Sequence, residues 1–197
     1  MKILKNKKGF SLLELLLVLG IIAGIVIAAF LIFPKVKEAN YVKTEASNIS
    51  TIRSGVVSLY GGVALPAYNA NMSEMLIKAG VVPDNMVGSD KTMLISSWGS
   101  PVYVGATTLE NGARAFAIRY LNVTNDICGR LAAIAAGSFL EVKVSSSNTS
   151  MTGIPNGGTY LKSSSTEFSV NDAITKCTQL GGTGNAGSVG SALTFIF

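Results

Sequence analysis

The sequence predicts an α+β protein, a long N-terminal helix followed by a sheet-bearing head. Three observations carry that prediction. Residues 10–33 form an apolar run of 24 residues in which only Ser11, Glu14, Gly20 and Gly24 are not apolar. Val36, Ala39, Val42, Ala46, Ile49, Ile52, Val56 and Leu59 then recur at steps of three and four, the spacing of one helical face. Three later runs, 115–121, 139–144 and 192–197, are rich in aromatic and branched residues, as strands are.

The first element is a basic leader, residues 1–9, carrying Lys2, Lys5, Lys7 and Lys8 and ending at Gly9. The apolar run after it would form a helix about 36 Å long, enough to cross a hydrocarbon core with some tilt. A cleaved secretory signal has a shorter apolar stretch followed by small residues at its cut site. No such site precedes Pro34, so the span is expected to be retained. The lysines before it place the N-terminus in the cytoplasm and residues 35–197 outside. Gly20 and Gly24 form a small-x-x-x-small pair that permits close helix approach, or a point of local flexibility.

Glu14 is the anomaly of the span. A carboxylate near one end of an apolar helix either reaches water at the headgroup level or needs a partner charge. No Lys or Arg lies between Phe10 and Phe33, so a partner cation would come from another chain or from a newly made N-terminus.

Residues 10–60 read as one helix, lipid-facing over 10–34 and amphipathic over 35–60, with Pro34 a point where it can end or kink. Its apolar stripe is expected to lie against a sheet, with Lys35, Lys43, Glu45 and Asn48 on other faces, and Gly61-Gly62 ends it. Residues 61–197 form the head. Residues 61–101 connect helix to sheet through a short helix over 71–79, with Asn71 and Ser73 as start signals and Gly80 as the stop. Trp98 lies in a turn leading into Val102-Tyr103-Val104, where it is expected to pack and not to stack on a ligand. Arg114 and Arg119 fall on or beside a strand, as a solvated or paired face. Residues 125–136 read as a helix with Thr124 as N-cap. Ser169-Val170-Asn171-Asp172 resembles a capping box opening a helix that runs through Cys177 to Leu180. Segments 145–158 and 181–191, dense in Ser, Gly, Thr and Asn, read as loops.

Composition excludes several kinds of chemistry. The 48% hydrophobic and 14% charged content is unlike a disordered chain. Without a single His there is no triad, His-ligated zinc site or near-neutral proton relay. The glycine-rich stretches lack the G-x-x-x-x-G-K-[ST] spacing of a phosphate loop. Asp84, Asp90, Asp126 and Asp172 are scattered among turns and helix starts, and Arg114, Arg119 and Arg130 make no basic stripe with aromatics. The chain is therefore not expected to be an enzyme, to hold a cofactor or metal, or to bind a specific nucleic acid. Cys128 and Cys177, the two cysteines, both fall on the predicted extracytoplasmic side, where one disulfide is the simplest outcome. Two buried free thiols are the alternative.

Lys7-Lys8-Gly9-Phe10-Ser11-Leu12-Leu13-Glu14, heading a long apolar helix, resembles the prepilin signature of type IV pilins and their secretion-system relatives. The resemblance implies a long spine helix packed on an antiparallel sheet, with a disulfide-bounded C-terminal region over residues 128–177. It implies that an inner-membrane prepilin peptidase cuts between Gly9 and Phe10 and methylates the new Phe10 amine. Glu14 would then pair with the Phe10 amine of a neighbouring subunit, which supplies the missing cation. In a bundle of apolar helices such a pair sets registry more than it adds net stability. Met75 to Asp84, the wide cysteine spacing and the mature length are similar to the type IVb branch. The nine-residue leader and Phe at the first mature position are closer to type IVa.

The function implied is a structural subunit, a major pilin. It is an inner-membrane precursor handled by the pilus assembly machinery and then a homopolymer in an extracellular filament serving adhesion, aggregation or conjugative mating. A minor pilin or type II secretion pseudopilin that primes assembly is the alternative, and a membrane-anchored periplasmic enzyme a remote one. The net charge of +5 supports this division of the chain. Removing the four leader lysines leaves 12 basic against 11 acidic side chains, so the basic character serves topology and processing.

Overall fold

A computed structural model describes residues 11–63, 71–147, 154, 157–181 and 190–197. The chain divides into two compact units, residues 1–38 and 39–197. Helix α1 spans Leu12–Tyr60 and carries Pro34 within it, so the proline is tolerated despite the backbone donor it removes. In the first unit the apolar side chains of the helix are exposed on every side. A helix apolar all round is stable in water only when covered, and in lipid without further cover. It is long and apolar enough to cross a membrane.

The second unit packs residues 39–60 of α1 on a six-stranded antiparallel sheet. In chain order its strands are β1 (Leu94–Ile95), β2 (Pro101–Thr108), β3 (Arg114–Val123), β4 (Glu141–Ser146), β5 (Thr159–Lys162) and β6 (Ser191–Ile196). They lie side by side in the order β1-β2-β3-β6-β4-β5. The C-terminal strand is therefore central, pairing with β3 through Ile118↔Phe195 and with β4 through Val142↔Phe195. Helices α2 (Ser73–Lys78), α3 (Asn125–Ala135) and α4 (Val170–Leu180) complete the unit. Gly62, at φ +97°, turns the chain out of α1, and Gly112, at φ +82°, shapes the turn between β2 and β3. Both need the left-handed region that glycine enters without penalty.

Strand alternation gives the sheet two buried faces. Val102, Val104, Phe116, Ile118, Tyr120, Val142, Val144, Leu193 and Phe195 share one core with Val42, Ile49, Ile52 and Val56 of α1. Ala115, Ala117 and Ile196 face the other way and pack with Ile154. This second face explains why β6 is buried at all six positions, with no polar–apolar alternation in its sequence.

Most elements lie where the sequence places them. Helix α2 is a shorter version of the 71–79 helix, and α3 and α4 match theirs. Ser169 Oγ accepts from the Asp172 N–H at 3.4 Å, whereas Thr124 sits at the N-cap of α3 with no side-chain capping bond. Strands β1 and β5, short and edge-placed, are not anticipated by the sequence reading, and β4 takes Ser145 and Ser146 from the expected loop. The amphipathic stripe is shifted: Val36, Ala39 and Leu59 are exposed, while Glu45 and Asn48 are buried. The expectation that Glu45 and Asn48 lie on other faces is thus corrected. For Arg119, expected on a solvated or paired face, the solvated alternative is excluded, since it is 1% exposed.

At Gly55, α1 comes close to the segment after α2. A Cβ there would meet the Val81 carbonyl oxygen at 2.5 Å. Gly55→Ala should lower unfolding stability by about 1–3 kcal/mol through overpacking, read as a shifted denaturant midpoint with an unchanged slope.

Candidate functional site

The side chains with the most elaborate chemistry are on the inner face of α1, at Glu45. Its stripe neighbours Val42, Ile49 and Ile52 force that face into the core, and Glu45 goes with them, fully buried. Four donors meet the carboxylate. Oε1 accepts from the Ser97 N–H at 2.7 Å and the Ser97 hydroxyl at 2.6 Å. Oε2 accepts from the Tyr120 hydroxyl at 2.9 Å and from Asn48 Nδ2 at 3.2 Å. A buried charge is tolerable only when its lone pairs are met in this way. Burial, then the Glu45 charge and the hydrogen bond to it, hold the Tyr120 phenol well above its usual pKa. Trp98 closes the cluster: its indole N–H donates to the Leu121 carbonyl at 3.1 Å, and its ring lies 5.6 Å from that of Tyr120. It packs beside a turn, as its sequence context suggests.

The opposite sheet face carries a second polar set. Registers Tyr103↔Arg119, Arg119↔Thr194, Lys143↔Thr194 and Lys143↔Tyr160 align these residues in one row across five strands. Lys143 Nζ is 3.7 Å from Glu141 Oε2 and 4.5 Å from the centroid of the Tyr160 ring. Glu141 Oε1 accepts from the Glu110 N–H at 2.6 Å. Burial pulls the Arg119 guanidinium below its ordinary pKa, an effect opposed by Tyr103.

Cys128 on α3 and Cys177 on α4 are joined in a disulfide, with Cα atoms 6.0 Å apart. Ile174 of α4 seats on Gly129 of α3, where a Cβ would stand 3.1 Å from Ile174 Cγ1. Lysines stitch the rest of this region together. Lys162 Nζ donates to the Ala136 and Phe139 carbonyls at 2.6 and 2.8 Å, satisfying acceptors where α3 ends. Lys176 Nζ donates to the Tyr160 carbonyl at 3.0 Å. The disulfide closes a loop over 49 positions, worth roughly 4 kcal/mol of unfolded-chain entropy.

Glu14 lies in the first turn of α1, exposed, where the helix N-terminus favours a negative charge. Gly9 and Phe10, the expected cleavage pair, lie outside the described residues. Asp84, Asp90, Asp126 and Asp172 do not converge, and among the described residues no cluster of three potential metal ligands forms. The sequence reading misses Glu45, Lys143 and Lys162. For Glu45 a signal existed: steps of three and four link Val42, Glu45, Ile49, Ile52 and Val56 as well as they link the chosen set through Ala46.

The head thus has the architecture of a pilin, one helix laid across an antiparallel sheet with a disulfide-closed C-terminal region. The type IVb pilin of Salmonella typhi shares this fold at a TM-score of 0.55 and 21% identity, over 78% of this chain and 97% of that one. TcpA, a type IV pilin from Vibrio cholerae El Tor biotype, does so at 0.56 and 14%, over 80% and 99%. No curated protein matches by sequence. The PilS N-terminal family model matches residues 39–186, three quarters of the sequence, and the chain belongs to the PilS family.

Two outcomes follow from this geometry. Glu45→Ala would strand the buried donors of Tyr120, Ser97 and Asn48, and should cost about 3 kcal/mol or more in chemical denaturation. Tyr120→Phe, which removes one of four bonds, should cost about 1–2 kcal/mol. The second outcome concerns Glu110, which the hydroxyls of Ser163, Ser165 and Ser164 hold below the usual carboxylate pKa. Its tie to this turn, made at 2.9 Å by Ser165 Oγ, is present above the ordinary carboxylate range and lost as pH falls through the lowered value. Amide resonances of Ser164 and Ser165 should therefore titrate with a midpoint below that of a free glutamate, and stop doing so in Glu110→Gln.

Proposed function

We propose that this chain is the major structural subunit of a type IV pilus, polymerising through its N-terminal helix. The observation that carries the reading is the exposed apolar helix surface from Leu12 to Phe33, on a chain whose head has the type IVb pilin fold and belongs to the PilS family. Such a surface needs lipid before assembly and neighbouring helices after it. The leader over residues 1–9 holds the precursor with its N-terminus in the cytoplasm. Prepilin peptidase cuts between Gly9 and Phe10 and methylates the Phe10 amine. Glu14 meets the amine of a neighbour, so charge is neutralised only when a subunit docks in register. The assembly machinery extrudes the homopolymer from the inner membrane to the cell exterior. Adhesion, aggregation or mating contact then arises from many copies of the head.

Glu14→Val tests this directly. The variant should insert and be processed as wild type, its mature mass matching a methylated chain that begins at Phe10, yet give almost no sheared filaments. Normal piliation by the variant would sink the proposed role of Glu14, and an intact Met1 in assembled wild-type filaments would sink the processing.

A further inference from the structure

We propose that Trp98, Tyr120 and Glu45 form a proton-coupled sink for one-electron oxidation, taking a hole from the surface of the head to a buried phenol. The three groups are arranged in series. Trp98 is half-buried and reachable from solvent, whereas Tyr120 and Glu45 are fully buried. The rings of Trp98 and Tyr120 lie 5.6 Å apart between centroids, close enough for direct electron transfer. The Tyr120 hydroxyl donates to Glu45 Oε2 at 2.9 Å, within the range over which a positioned carboxylate accepts a proton.

The direction of transfer follows from what holds each acidic hydrogen. The Trp98 indole N–H faces a neutral carbonyl, that of Leu121, which is a poor proton acceptor. The Tyr120 hydroxyl faces a carboxylate. Oxidised Trp98 therefore keeps its proton and its positive charge, while Tyr120 can lose an electron and a proton together. A diffusible one-electron oxidant, a small radical from outside the cell, takes an electron from the Trp98 indole. An electron from Tyr120 refills the indole, and the phenolic proton passes along the existing hydrogen bond to Glu45 Oε2. The products are neutral Trp98, a neutral phenoxyl radical and a neutral Glu45 carboxylic acid. The negative charge lost at Glu45 equals the electron removed by the oxidant. No charge is stranded in the core, and Ser97 still donates to Oε1 from its N–H and hydroxyl. Because the Tyr120 ring lies within the packed core, the radical is kept from bimolecular reaction.

Pulse radiolysis of the full chain in detergent micelles tests the proposal, with azidyl radical as oxidant and transient absorption separating indolyl from phenoxyl radicals. Wild type should show the indolyl signal decaying as a phenoxyl signal rises, at a rate independent of protein concentration and slower in D2O. In Tyr120→Phe, which keeps the ring, the phenoxyl rise should be lost and the indolyl signal should persist. Glu45→Gln should also lose the rise, since an amide cannot take the proton. A phenoxyl rise in Tyr120→Phe at the wild-type rate would overturn the assignment of Tyr120. An unchanged rate in Glu45→Gln would overturn the proton transfer, and should that variant fail to fold, a missing D2O effect in wild type would do so.

Discussion

The head is organised around one buried negative charge. Glu45 projects from α1 into the core and is met by donors from the helix itself, from the Ser97 turn and from strand β3. Hydrophobic contact alone would let a helix rotate or slide on a sheet with little change in buried area, since that attraction has no direction. A desolvated carboxylate allows no such freedom. Moving α1 by one residue would separate Oε1 and Oε2 from their donors and leave the charge unmet. Val42, Ile49, Ile52 and Val56 supply attraction, and Glu45 sets the register in which it is realised. This assigns to a polar group the specificity role that is well attested for single buried polar residues in coiled coils.

The sheet repeats that division of labour on its other face. Phe195 and Leu193 turn towards α1, while Thr194 faces the opposite way between Arg119 and Lys143. The last strand of the chain thus has its position specified from both sides. Lys143 is offset by Glu141 and by the Tyr160 ring, so the row combines cations with a carboxylate and aromatic faces. The disulfide and the lysine bonds from Lys162 and Lys176 tie α3, α4 and β5 to one another. The C-terminal half is therefore held by covalent and charge-assisted links, in addition to its core.

Sequence periodicity was sufficient for elements whose burial follows a simple period. The extent of α1, the β3 run and the α4 capping box were legible because each depends on residues within a few positions of one another. Reading failed where two adjacent positions competed. Steps of three and four admit either Glu45 or Ala46, and hydrophobicity favours Ala46. The structure buries Glu45 because Tyr120 and Ser97, 75 and 52 positions away, supply its donors. For Arg119 the sequence left a solvated and a paired face open, because whether the far face of the sheet is covered is not readable from the strand itself. Strand β5 has four residues and β1 two, too short to show a period before pairing defines them.

By itself the sequence determined the apolar span, the helix that continues beyond it and the sheet-bearing head, and the position of Glu14 within the span. These follow from composition and spacing along one stretch of chain, which physical chemistry reads locally. Only the tertiary structure decided that Glu45 is an inward anchor, that the C-terminal strand is central, and that Trp98 and Tyr120 stand ring to ring above a carboxylate. Each of those depends on which distant segments meet. Long-range pairing is settled by the whole core at once, because the energy of a buried polar group depends on partners that its own neighbourhood in sequence does not contain.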